Sequence, residues 1–349
     1  LEATDVILRN NFAARAGGGI EARAGSTTTL INVTLGGDTP DDGNFANTTG
    51  GGAGGNGGGM HITGNGSATI TGSTVRNNVA DTEGGGLWNG SGTMTVTDTV
   101  VASNAANGNA ADDGGGGLFN NGGTLIVVGG AVTANAALGT SGSGGGIFNN
   151  GATLDVTGTM IANNISNRAG GGIEAAMGGT TLTDVTLQNN GTGVGTGAVA
   201  APGNGGGLHI TGAGTVTVNG GLIDANAAAR EGGGLWNDSG TMTVQPSDMG
   251  GTAITNNMAQ GDAADDGGGG IFNNGGTLVV TGATISNNAA NGDSGSGGGV
   301  MNLNGPVVTI TDSAISNNTA SRAGGAYEDV SSGAATVVSL DTVTMDSNL

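Results

Sequence analysis

A parallel β-helix, an all-β solenoid of about eleven coils with three short strands each, is the fold this sequence predicts. Three observations carry that expectation. Clusters of glycine recur along the whole chain, from Gly17-Gly19 through Gly84-Gly86 and Gly232-Gly234 to Gly324-Gly325, spaced 26 to 40 residues apart. Threonine alternates with aliphatic residues after most clusters, as in Thr93-Met94-Thr95-Val96-Thr97, and a period of two is strand periodicity. A second short apolar stretch ending in asparagine closes the unit, as in Thr284-Ile285-Ser286-Asn287-Asn288.

Each part of the unit has a physical reason. Glycine supplies 79 of 349 residues, against about 7% in ordinary proteins. At roughly 1 kcal/mol per interior helix position, that content excludes a helical domain. Only four prolines and no sustained Gly-X-Y period exclude collagen. Glycine-rich acidic chains are often disordered, but here 35% of the residues are apolar and they fall at regular positions. Three glycines in a row lack side chains, so that strand can run close to the opposite wall of a narrow coil. The β-branched threonines suit a half-buried pleated surface. The pairs Asn77-Asn78, Asn163-Asn164, Asn256-Asn257, Asn287-Asn288 and Asn317-Asn318 stand where each coil should turn. Asparagine tolerates the left-handed backbone of a turn, and stacked copies can form an amide ladder. At about 4.8 Å per coil, eleven coils would make a rod of roughly 50 Å.

A longer period overlies the coil. Arg15 to Glu21 returns at Arg168 to Glu174 and again, degraded, at Arg322 to Glu328. Met60-His61-Ile62 returns as Leu208-His209-Ile210, Glu83 to Trp88 as Glu231 to Trp236, and Asp112 to Asn121 as Asp265 to Asn274. Five unlike coils therefore make one super-repeat of 148 to 154 residues. The chain reads as a single β-helix segment, 1–349, with super-repeats 15–167 and 168–321 and a partial third, 322–349.

Runs such as Gly-Gly-Gly-Ile271-Phe272-Asn273-Asn274, followed by Ile285-Ser286-Asn287-Asn288, resemble the right-handed parallel β-helix repeat proteins of bacterial surfaces, which share the pectin-lyase-like solenoid. There is a looser likeness to the polymorphic outer-membrane autotransporter passengers. The resemblance covers essentially the whole chain. It implies a right-handed coil and an extracellular or cell-surface setting, and says little of activity.

Charge narrows the partners. There are 27 acidic residues, seven arginines and no lysine, for a formal net charge of −20. Such a chain repels nucleic acid and anionic lipid. It has no cysteine, hence no disulfide or thiol chemistry. No signal peptide and no membrane-spanning apolar run stands in the sequence, and Leu1 in place of methionine reads as a processed or excised segment. Leu1–Asn11 and Val337–Leu349 both read as strand regions of incomplete coils without caps. The expected partner is therefore the chain itself, stacked head to tail into a filament.

The candidate chemistry is sparse. Asp41-Asp42, Asp112-Asp113 and Asp265-Asp266 could serve a polysaccharide-degrading enzyme, since such sites need carboxylates. Yet no Gly-His-Gly or Arg-Ile-Lys accompanies them, and two of the pairs are copies, whereas a hydrolase concentrates its chemistry in one cleft. No enzyme is expected. Asp112, Asp113, Asp265 and Asp266 are candidate calcium ligands, although no calcium-loop spacing surrounds them; no other cofactor is implied. Trp88 and Trp236 are candidates for stacking on surface glycans, against a buried aromatic column shared with Phe119, Phe148 and Phe272. His61 and His209 have no second histidine or cysteine nearby, so they read as wall residues. Arg15, Arg168 and Arg322 can pair with Glu21, Glu174 and Glu328. The expected function is a non-enzymatic rod in a surface stalk, adhesin or fibre. A polysaccharide-binding or -degrading β-helix is the alternative, and an ice-binding solenoid with threonine rows the minor one.

Overall fold

The computed structural model describes residues 1–48, 54–193, 201–330 and 337–349. It is a parallel β-solenoid of about eleven coils. The coil that begins at the third glycine cluster shows the pattern. Leu87–Asn89 forms wall I, Thr93–Thr97 wall II, Val100–Ala102 wall III and Ala105–Ala106 wall IV. Among the described residues walls II and III each hold 12 strands and walls I and IV each hold 11, every strand paired with its counterpart one coil away. Pairing is parallel and in register throughout, as in Thr93, Thr95 and Thr97 opposite Thr124, Ile126 and Val128. Walls I to III supply the three expected strands. The two-residue wall IV adds a fourth, which carries the chain from the asparagine pair toward the next glycine cluster. The helical content among the described residues is one 3-10 turn, Pro40–Asp42.

Alternation sets the core. Met94 and Val96 point inward from wall II and Val101 from wall III, all almost fully buried, while Thr93, Thr95 and Thr97 line the outside. The inward positions of walls I, II and III stack into one continuous apolar core along the axis. No coil could bury this face alone.

The three glycines of a cluster have separate reasons. Gly84 has φ +64, a left-handed backbone that a side chain would strain. A methyl on Gly85 would overlap the carbonyl oxygens of Ala105, in wall IV of the same coil, and of Gly116 in the adjoining coil. One on Gly86 would lie 2.6 Å from the Gly117 carbonyl oxygen. Narrowness of the coil, which brings its own wall IV onto Gly85, and close stacking on the next coil both demand glycine.

The asparagine pair divides its labour. Asn77, Asn163, Asn256, Asn287 and Asn317 have φ of +56 to +57 and make the turn; they are not rungs of the ladder expected of both partners. The second members, Asn78, Asn164, Asn257, Asn288 and Asn318, are fully buried and form it. The ladder is longer than those five. It runs Asn44, Asn78, Asn104, Asn135, Asn164, Asn190, Asn226, Asn257, Asn288, Asn318, Asn348, each Nδ2 donating to the next Oδ1 at 2.9–3.0 Å. Asn135 shows why the motif is self-sufficient. Its Oδ1 accepts from the Asn104 backbone N–H and Nδ2, and its own Nδ2 donates to the Val101 carbonyl and Asn164. Every polar capacity of the buried amide is used.

Candidate functional site

The richest chemistry lies on the outer face of wall I. The second residue after each three-glycine cluster, and Glu328 in the coil of Gly324-Gly325-Ala326, point away from the core, and in-register pairing stacks these residues into one column. In chain order they are Glu21, His61, Trp88, Phe119, Phe148, then Glu174, His209, Trp236, Phe272, Met301, then Glu328. The five-coil super-repeat is thus a chemical sequence along the rod: acid, imidazole, indole, and two large apolar groups.

Ring contacts hold the column together. His61 stacks on Trp88 with centroids 4.2 Å apart at 18°, and His209 on Trp236 at 4.2 Å and 9°. Trp88 and Phe119 lie parallel at 6.3 Å, and Phe119 meets Phe148 edge-on at 5.0 Å. Ala111 and Asp112, in one loop from wall IV to wall I, lie beside Phe148 and Glu174, and the large side chains of the column form two buried satellite clusters outside the main core. Trp88 and Trp236 are 8% and 5% exposed, each between an imidazole and a phenyl ring. They have no face free for a sugar, which corrects the glycan-stacking expectation in favour of the buried column.

Each indole has a carboxyl partner across the glycine cluster. Trp88 Nε1 donates to Glu83 Oε2 and Trp236 Nε1 to Glu231 Oε2, both at 2.8 Å. Asn56 and Asn204 donate to the same carboxyls at 3.0 and 2.7 Å. Burial pushes Glu83 up to about 7; the indole bond opposes this and the charges of Asp113 and Asp112 add to it. Glu231 is likewise pushed up to about 7 by burial, opposed by its bond from Trp236 and reinforced by Asp266 and Asp265. Burial also holds His61 down to about 4, against the attraction of Glu21.

Glutamates at the first step of the column differ by context. Glu21 and Glu328, in the outermost coils, pair with Arg15 and Arg322 as expected. Glu174, in the middle of the rod, is fully buried and turns instead to His209 Nδ1 at 3.0 Å and the Thr211 hydroxyl at 2.5 Å. Arg168 donates to the Ser143 hydroxyl.

The aspartate pairs serve the covering loops. Asp113 Oδ2 accepts the Ala110 backbone N–H and Asp266 Oδ2 that of Ala263, both at 2.9 Å, which caps each turn. Asp112 and Asp265 are exposed. Among the described residues no three His, Asp or Glu side chains converge as a metal-binding group. Asp42 accepts from Thr39, which lowers its pKa, and pairs with Arg9 at 3.3 Å. An open groove of ≈ 600 Å³ runs beside the second loop, lined by Arg230, Glu231, Gln260, Asp262, Asp265 and Asp266.

Glu83 and Glu231 lay in the repeated Glu-Gly-Gly-Gly-Leu-Trp run, but their bond to the indole was not foreseen. Nor was the imidazole–indole stack. Both follow once the glycine clusters are aligned and the residue two places beyond each is read down the coils. A second ladder, Asn89 to Asn120 to Asn149 and Asn237 to Asn273 to Asn302, was also readable in this way. It is interrupted where Ile62 and Ile210 occupy the slot, leaving Asn89 and Asn237 Oδ1 without a partner.

Comparison with protein-family models, with curated proteins and with solved structures returned no match. The parallel solenoid therefore rests on the geometry above. No helix among the described residues is long and apolar enough to cross a membrane.

Proposed function

We propose that this chain is a non-catalytic rod segment of an extracellular or cell-surface protein, serving as a stalk, an adhesin shaft or a fibre subunit. The observation that carries the reading is the unbroken ladder from Asn44 to Asn348 beside in-register walls. A fold that repeats its interior bonds in every coil is suited to spanning distance. The column chemistry supports the same reading: Glu83–Trp88 and Glu231–Trp236 are repeated, and their indoles are buried. The likeness of the Gly-Gly-Gly-Ile-Phe-Asn-Asn coils to bacterial surface β-helix proteins supports the setting.

Such a rod lengthens by adding coils, and we propose head-to-tail stacking of copies as one route. Ile7 and Phe12 on the first strands of walls III and IV, and Val337, Leu340 and Met345 on the last strands of walls II and III, are exposed apolar groups. Negative-stain electron microscopy with sedimentation velocity across a hundredfold concentration range tests the whole reading. Rods of roughly 50 Å that lengthen with concentration are expected. Globular particles would overturn the rod, and rods of constant length would overturn stacking alone.

A further inference from the structure

Wall II presents a surface that a spacer does not require. Its outward positions form three columns of in-register side chains along the rod, one column for each outward residue of the strand. From Glu2 at one end the middle column runs Thr29, Thr69, Thr95, then Ile126 and Asp155, then Thr181, Thr217, Thr243, and after Val279 it ends with Thr309 and Ser339. The flanking columns are also mostly threonine, as Thr93 and Thr97 show in the third coil. All three stand half-buried to exposed.

The charge distribution sets this face apart. In a chain of formal net charge −20, Asp155 is the one ionisable side chain that wall II turns outward between Thr27 and Thr311. The same stretch turns no aromatic residue outward. Most of the other acidic side chains stand in the connections: Asp112, Asp113, Asp262, Asp265 and Asp266 between walls IV and I, and Asp98, Asp184 and Asp312 in the turn from wall II to wall III.

Those two properties limit the partner. A protein interface would show aromatic or arginine anchors within an irregular patch, and a glycan surface would offer rings for stacking. Wall II offers neither. It offers a hydroxyl and a methyl per threonine, repeated about every 4.8 Å along the rod and about every 7 Å along each strand. The fitting occupant is uncharged, hydrogen-bonding on a fixed lattice, and periodic in two directions at these spacings. Oxygen rows on the faces of hexagonal ice meet all three conditions. Each threonine contact is weak, but commensurate spacing lets many engage one rigid surface together, so their effects multiply.

We propose that wall II is an ice-binding face, in which threonine hydroxyls replace lattice water positions and the methyls occupy the hollows between them. This adds a binding activity to the rod and does not depend on how the rod is attached or extended.

The test is thermal hysteresis and ice-shaping microscopy on the whole chain, with fluorescently labelled protein scored for incorporation into a growing ice hemisphere. Faceted crystals, a freezing point depressed below the melting point, and label in the ice are expected. Thr95→Lys with Thr217→Lys places a long charged chain in each threonine field at surface positions. Hysteresis should fall by more than half while circular dichroism and Tm stay unchanged. Absence of hysteresis and of incorporation by the wild-type chain overturns the proposal. So does full activity in the double variant. Retention on crystalline chitin or cellulose, or self-association abolished by the same variant without ice activity, would assign the face to those partners instead. Rods seen by microscopy alongside a negative ice result would sink this inference and leave the rod reading standing.

Discussion

Walls I and II are made of the same kind of strand, paired in the same register, yet their outer faces have opposite characters. The outer face of wall I is roofed by loops and holds glutamate, imidazole and indole out of water. The outer face of wall II is unroofed, rich in threonine and nearly without charge. The difference comes from the connections. The turn from wall I to wall II is short, whereas the passage from wall IV to wall I carries longer loops such as Asn107–Asp113, whose Ala111 and Asp112 lie beside Phe148 and Glu174 of the column. In this solenoid the loop length at one corner decides which face becomes a second core and which remains a surface.

Substitutions should separate the interior, the roofed face and the bare face by size of effect. Asn135→Ala is expected to be among the most damaging single changes. It removes the acceptor of two Asn104 donors and the donor to Val101 and Asn164, and at about 1–3 kcal/mol per buried orphan the loss should reach about 3–5 kcal/mol. Chemical denaturation measures it; a loss under 1 kcal/mol would mean that the ladder is ornamental. Trp236→Ala should cost about 3–4 kcal/mol, because it empties the stack between His209 and Phe272. If Trp236 behaved like a surface residue, the roof over wall I would be wrong.

The roofed face should also make stability depend on pH. Glu83 and Glu231 have an ordinary value of 4.5 and are held near 7 when folded. Between those values the folded chain binds more protons than the unfolded one, so stability falls as pH rises through the window. The loss is at most about 3 kcal/mol per site. His61 acts in the opposite sense: its ordinary value is 6.5 and it is held down to about 4, so its contribution is lost as pH falls through that range. Two carboxyls outweigh one imidazole, and Tm should be highest near pH 4.5 and decline toward 7. Glu83→Gln with Glu231→Gln keeps an acceptor for each indole and should flatten the decline. An unaltered slope in that variant would show that the two carboxyls do not cause it.

Smaller effects test the turn and the bare face. Ala225 has φ +53 at the position where other coils place the first asparagine. Ala225→Asn should therefore stabilise by up to about 1 kcal/mol. Thr95→Val on wall II should change stability by less than about 0.5 kcal/mol. A large loss there would show that wall II is covered in solution.

The coil, its strands and the super-repeat were legible because they depend on local spacing. Glycine clusters, alternating threonines and asparagine pairs each report a constraint acting within one coil. The division of labour within Asn77-Asn78 was not legible. Both residues are asparagine, and only the backbone turn decides that Asn77 faces outward at positive φ while Asn78 enters the core. The aspartates were misleading for a similar reason: Asp113 and Asp266 look like spare metal ligands until the turn brings a backbone N–H to each.

By itself the sequence determined that this protein is a solenoid with a five-coil rhythm, since side-chain period and glycine recurrence act along the chain. Only the tertiary structure decided that Trp88 and Trp236 are buried, that Glu174 meets His209, and that threonines from successive coils share one face. Those relations join residues about 30 to 40 positions apart, and stacking the coils is what turns that separation in the chain into contact in space.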